Sequence, residues 1–123
     1  MVGSKVLFDT NILIDHMSGI VMAGAEFGRY QDRAISIITW MEVLAGATQH
    51  DEPRIRIFLN QFKRIELDET IASEAVSIRR TLKIKLPDAI IYASARLHSR
   101  VLITRNARDF PATTPGVKIP YTL

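Results

Sequence analysis

Cysteine is absent from this 123-residue chain, which excludes disulfides, thiolate zinc sites and thiol catalysis. No apolar run approaches the roughly 20 residues that a membrane-spanning helix needs. The opening Met1-Val2-Gly3-Ser4-Lys5 lacks a signal-peptide pattern, so a cytoplasmic protein with no membrane partner is expected. Repeats, low-complexity tracts and linker-like stretches are missing too. One domain over residues 1–123, with a single core that needs no staples, is the expectation. His16, His50 and His98 are scattered along the chain, so no histidine cluster argues for zinc.

What is present is ordinary in bulk and uneven in detail. A hydrophobic fraction of 47% and a charged fraction of 24% are those of a globular protein. The net charge of +3 conceals an asymmetry. Residues 1–78 hold 7 Lys/Arg against 11 Asp/Glu, whereas residues 79–123 hold 9 against 2. A basic half attracts phosphate backbones and other anions. The two acids inside it are Asp88 and Asp109.

Short β-like runs alternate with longer helical ones. Strands are expected over residues 5–8, 33–37, 64–67, 101–104 and 116–119. Helices are expected over 11–17, 21–31, 40–48, a segment opened by Pro53, 68–82 and 88–98. Gly24 and Gly28 weaken the second helix. This alternation indicates a three-layer α/β/α sandwich around a mainly parallel five-stranded sheet.

Val6-Leu7-Phe8-Asp9 carries the most specific signal: a buried strand that runs straight into an acid, with a helix following at once. Open parallel sheets bind ligands at the carboxyl ends of their strands. Glu42 is expected in the first turn of the helix after strand two, and Asp88 in the first turn of the helix before strand four. Asp109 follows strand four. Topology can bring Asp9, Glu42 and Asp109 to one sheet edge, with Asp88 delivered by the preceding loop. Each acid also has a structural reading. Asp9, Thr10 or Asn11 can cap a helix, and Thr39-x-x-Glu42 is a capping-box pattern. Asp88 can serve a helix dipole, and Asp109 before Phe110-Pro111 can be a turn residue. Taken together, clustered carboxylates call for a cation, and an all-oxygen set suits magnesium or manganese. Such an ion activates water for attack on a phosphodiester.

Four blocks resemble the PIN-domain nucleases, and more narrowly the VapC-type toxins. They are Leu7-Phe8-Asp9-Thr10-Asn11-Ile12-Leu13-Ile14-Asp15, Ser36-Ile37-Ile38-Thr39-Trp40-Met41-Glu42-Val43-Leu44-Ala45-Gly46, Leu86-Pro87-Asp88-Ala89-Ile90-Ile91-Tyr92-Ala93-Ser94-Ala95 and Leu102-Ile103-Thr104-Arg105-Asn106-Ala107-Arg108-Asp109-Phe110. The resemblance implies a PIN-like fold and an endoribonuclease. In it Asp9, Glu42, Asp88 and an acid of the last block surround Mg2+ or Mn2+. In that block Asn106 and Asp109 compete for the fourth position. Thr10, Asn11 and Thr104 would orient the carboxylates, as a metal site requires, and Asn106 would support them. Arg79, Arg80, Lys83, Lys85, Arg105 and Arg108 are candidates for tracking RNA phosphates. The resemblance further implies a homodimer, a VapB-type antitoxin and possible larger assemblies, with apolar residues among 20–27 and 55–62 as candidate contact surfaces. Core packing is the rival role for those residues; for Trp40 a core or dimer contact competes with a base-stacking platform, and for Tyr92 packing competes with a change in the groove.

Two other functions compete. An aspartyl-phosphate receiver or phosphatase also places an Asp at the first strand end, but Asn11 stands where the phosphatase pattern wants a second Asp, and no lysine follows Thr104. A non-catalytic PIN-like domain that binds RNA or protein is the other; four intact acids argue against it.

Overall fold

The structure, a computed structural model, describes residues 5–111 and 113–123. Residues 1–4, where the absence of a leader pattern was read, lie outside that range. The elements run β1 (Lys5–Phe8), α1 (Thr10–Met17), α2 (Val21–Phe27), β2 (Asp32–Ser36), α3 (Ile37–Ala45), α4 (Glu52–Leu59), β3 (Lys63–Ile65), α5 (Glu69–Leu82), α6 (Leu86–Leu97), β4 (Val101–Ile103) and β5 (Val117–Lys118). One sheet has the order β3-β2-β1-β4-β5, and every pairing is parallel.

Strand alternation divides the core. Leu7, Ala34 and Leu102 face the layer of α5 and α6, where they meet Ile71, Ile78, Ile91 and Phe110. Val6, Phe8, Ile35 and Ile103 face the other side, against Ile12, Leu13, Phe27, Val43, Leu59 and Phe62. Phe8 and Phe27 are 5.0 Å apart between ring centroids and nearly perpendicular. Each fully buried side chain of this size contributes about 1.5–3 kcal/mol. On the amino edge of the sheet, the Arg100 guanidinium donates to the Val6 and Asp32 carbonyls and to Asp32 Oδ1, at 3.2, 3.2 and 2.8 Å. That edge is closed by a structural tie.

The carboxyl edge is organised differently. The chain winds from β1 outward to β2 and β3, then crosses back through α5 and α6 to β4 on the other flank of β1. The strand order therefore reverses between β1 and β4, which opens a crevice beyond their carboxyl ends.

Most boundaries shift by one or two residues from the sequence expectation, as at β3, which spans Lys63–Ile65 rather than 64–67, and three helix ends shift for identifiable reasons. Helix α2 stops at Phe27, and Gly28 caps it; glycine's backbone entropy disfavours further turns. Helix α3 begins at Ile37, because the buried Ser36 accepts a hydrogen bond from Ile38 N at 3.0 Å. Thr39 is therefore inside the helix, and Glu42 falls in its second turn rather than its first. The capping-box reading of Thr39 and Glu42 fails for that reason. Helix α6 begins at Leu86, two residues before Asp88, with Pro87 in its first turn.

Candidate active site

Register builds the centre of the site. Leu7 pairs with Leu102 and Phe8 with Ile103, so Asp9 and Thr104 come next, side by side. Both are still held by the sheet: Asp9 N donates to Ile103 O at 2.9 Å, and Thr104 N to Lys118 O at 3.1 Å. Aligned residues in parallel strands project to the same face. The Thr104 hydroxyl accordingly donates to Asp9 Oδ2 at 2.8 Å. Asn11 Nδ2 adds a longer bond to the same oxygen at 3.3 Å, and Thr10 N donates to Oδ1 at 2.7 Å. The Asp9 cap reading is thus correct as geometry, although capping uses only one of its oxygens.

Thr10 reaches the second acid. Its hydroxyl donates to Glu42 Oε1 at 2.7 Å and contacts the buried Thr39 hydroxyl at 2.9 Å. Asp88 arrives from the first turn of α6. A cleft of about 400 Å³ is lined by Asp9, Thr10, Asn11, Ile14, Glu42, Asp88, Arg105 and Asn106. Three of the four expected acids therefore share it.

Asp109 is not on that lining. Its Oδ2 accepts from Asn106 Nδ2 at 3.0 Å, and its backbone N donates to Asn106 Oδ1 at 3.1 Å. Asn106 faces the cleft, with Asp109 behind it. Asp109 still acts electrostatically, since its charge helps to raise the Asp88 pKa.

The acids disfavour one another's ionisation. Burial pushes the Asp9 carboxyl up to about 6; the Thr104 hydrogen bond opposes this, and the charges of Asp88 and Glu42 add to it. Asp88 is raised first by burial, then by Asp109 and Glu42, with Lys85 opposing. A divalent cation would remove that repulsion, and the all-oxygen donor set suits a hard ion. Among the described residues, no three acidic or imidazole side chains converge as a ready-made cage. Magnesium, which keeps several waters and takes only one or two carboxylates, is compatible with such an open arrangement.

The remaining candidates separate. Arg79, Arg80, Lys83, Lys85 and Arg108 are exposed. The first four lie at the end of α5 and in the turn into α6, close to Asp88 along the chain. Arg105 lines the cleft but is already ion-paired with Asp15, a partner that sequence reasoning did not single out. Tyr92 is buried, donates to Pro115 O at 2.6 Å and packs on Phe110, so its role is packing. Trp40 is half-buried, with the guanidinium carbons of Arg56 and Arg64 5.3 and 4.9 Å from its ring centroid. Of the apolar surface candidates, Ala23, Phe27, Ile55, Leu59 and Phe62 are core; Val21, Met22 and Ile57 are exposed. His16 stacks on Phe58, and none of the three histidines lines the cleft.

Comparison with known proteins agrees with this architecture. The profile of the PIN domain matches residues 6–114. Ribonuclease VapC1 of Methanocaldococcus jannaschii is 33% identical over 113 residues, covering 87% of this chain and 79% of that protein. Among solved structures, a chain of a toxin–antitoxin complex from Klebsiella pneumoniae superimposes with a TM-score of 0.92 at 48% identity, covering 97% of this chain and 100% of that one. FitAcB from Neisseria gonorrhoeae shares the fold, with a TM-score of 0.77 at 24% identity over 94% of this chain and 97% of that one.

Proposed function

The chain belongs to the PIN-domain family, and from that premise we propose that it is a metal-dependent endoribonuclease, the toxin of a VapBC-type toxin–antitoxin pair. The observation that carries the catalytic reading is the placement of Asp9, Glu42 and Asp88 on one cleft at the β1/β4 switch point. Asp9, Asp88 and Glu42 would hold Mg2+ or Mn2+, with Asn106 on the cleft wall and Asp109 acting through its charge.

When bound, the ion would supply Lewis-acid activation of water and stabilisation of the leaving oxygen. The chain's own residues supply position. Thr104, Asn11 and Thr10 N fix both oxygens of Asp9, and the Thr10 hydroxyl holds Glu42 Oε1. Glu42 is the exposed acid of the three, and Oε2 is its oxygen not held by Thr10. In this reading Glu42 would accept a proton as the water oxygen bonds to phosphorus and a phosphorus–oxygen ester bond breaks. The leaving oxygen then takes a proton from solvent. The basic turn between α5 and α6 gives the polyanion a favourable approach to an otherwise negative site.

Among the described residues, no helix is long and apolar enough to cross a membrane, consistent with the cytoplasmic location we propose. A VapB-type antitoxin and a second copy of the chain are the expected partners. Ribonuclease activity is tested by incubating the partner-free chain with RNA. Cleavage with Mg2+ or Mn2+, loss with EDTA, and loss in folded Asp9→Asn and Asp88→Asn variants are expected; full activity in either variant removes the assigned mechanism. Growth arrest on expression of the chain alone, relieved by a co-expressed small partner, tests the toxin role.

A further inference from the structure

Arg105 is the cationic residue on the lining of an acidic cleft, yet its ion pair is with Asp15 and not with Asp9, Glu42 or Asp88. The pairing is bidentate and side-on: Nε donates to Asp15 Oδ2 at 2.7 Å and Nη2 to Oδ1 at 3.0 Å. Asp15 is buried in α1 at 6% exposure. The Tyr121 hydroxyl donates to its Oδ2 at 2.8 Å, tying the chain end beyond β5 to the pair. Arg105 N donates to Asn11 Oδ1 at 3.2 Å, so the backbone of this residue is held by the same asparagine that contacts Asp9.

A guanidinium has two usable edges. The side-on edge here is taken by Asp15, which leaves Nη1 and the second Nη2 proton as an end-on fork suited to two phosphate oxygens. The Arg105 side chain keeps 35% of its surface exposed, enough to be reached. A free arginine beside three carboxylates would fold onto them and compete with a metal ion; a buried acid on its other side prevents this.

We propose that Asp15 and Tyr121 are positioning residues that clamp Arg105 side-on, so that its end-on edge binds the non-bridging phosphate oxygens of the RNA without neutralising the metal-binding acids. This rests on the ribonuclease reading for the identity of the ligand. The alternative is that the pair merely staples α1 to the segment after β4, and the two are separable.

Binding of a fluorescent single-stranded RNA is measured by anisotropy over a salt series, in an Asp88→Asn background so that the RNA stays intact. Arg105→Ala is expected to weaken binding about tenfold and to reduce the log–log salt slope by about 0.7, one phosphate contact. The double variant Asp15→Asn/Arg105→Gln removes both charges together and so guards against an unpaired buried acid. It should melt cooperatively and show the same loss of affinity and slope. Arg105→Lys should remain weakened, because one ammonium cannot serve Asp15 and a phosphate in the same geometry. In the otherwise native chain, Tyr121→Phe should raise the half-saturating RNA concentration severalfold in single-turnover cleavage, with little change in the maximal rate. Parental affinity and salt slope in the folded double variant, or full rescue by lysine, overturn the clamp. Absence of cleavage by the native chain would remove the ribonuclease reading alone, because the binding measurements do not depend on it.

Discussion

Replacing Asp9 by asparagine should abolish cleavage and stabilise the fold. The Asp9 carboxyl titrates at about 6 in the folded chain, against 3.8 for an unperturbed aspartate. A folded-state pKa above the unfolded value means that the native state binds the proton more tightly. Its stability benefit is therefore complete below about pH 3.8 and is lost as pH rises through 6. At pH 7.5 the ionised carboxylate costs about 3 kcal/mol. Asparagine removes that cost and keeps an oxygen for Thr10 N. Its amide nitrogen faces the Thr104 hydroxyl, which already accepts from Asn11 Nδ2 and Asn106 N, and the Asn11 amide, so both bonds to this oxygen are lost at about 2 kcal/mol in all. The net gain is about 1 kcal/mol, or about 4 °C in melting temperature for a domain of this size. By pH 5 about half of the electrostatic relief has gone, and the variant and parent should cross at about pH 5.3. The assay is a pair of urea or thermal melts in EDTA from pH 4 to 7.5. Added Mg2+ should narrow the gap by stabilising the parent through mass action. A variant less stable than the parent at pH 7.5, or a difference that does not change with pH, would refute the assignment of burial and acid–acid repulsion as the dominant forces on Asp9.

The same carboxyl should shape the rate profile: at low Mg2+, cleavage should fall as pH drops through about 6, and saturating metal should move that limb to lower pH by competing with the proton. Thr104→Val removes a hydrogen bond that lowers the Asp9 pKa, so the limb should move up in pH, with about a tenfold loss of rate near neutrality. Unchanged limb positions would show that a group other than Asp9 controls the rate. Asn106→Ala, on the cleft wall, should reduce cleavage more than Asp109→Asn, which lies behind it and should lower the Asp88 pKa by removing a repelling charge; side-by-side initial rates and a carboxyl titration by NMR decide the order. Tyr92→Phe should cost about 1 kcal/mol of stability through loss of the bond to Pro115 O, with cleavage retained, as read by urea melts and activity together.

Much of the site was legible because its residues stand at the ends of strongly patterned elements. Val6-Leu7-Phe8 can only be a buried strand in this setting, and an acid at its carboxyl end falls where parallel sheets open. Glu42 shows where such reasoning slips. Thr39-x-x-Glu42 satisfies the capping-box pattern, but Ser36 starts the helix three residues earlier by accepting from Ile38 N, which places the buried Thr39 inside the helix. The outcome freed Glu42 from capping and gave it to Thr10.

Asp15 marks the opposite limit. It lies inside the most recognisable block of the chain, yet its partners Arg105 and Tyr121 are 90 and 106 residues away. No local pattern predicts a pairing that depends on three segments folding together. Asn106 and Asp109 were similarly inseparable by spacing, since both follow β4 in the same loop. The turn in which Asn106 bonds back to Asp109 decided which of the two faces the cleft.

By itself, then, the sequence determined the strand–helix alternation and singled out the acids Asp9, Glu42 and Asp88, because periodicity and strand-end chemistry are local properties, while the family was legible through the resemblance of four motif blocks. Tertiary structure alone decided the neighbours of each charge: Thr104 beside Asp9 through parallel register, Asp109 behind Asn106, and Arg105 turned aside by Asp15. Charge interactions depend on through-space distance and burial, and both come into being only when the sheet closes.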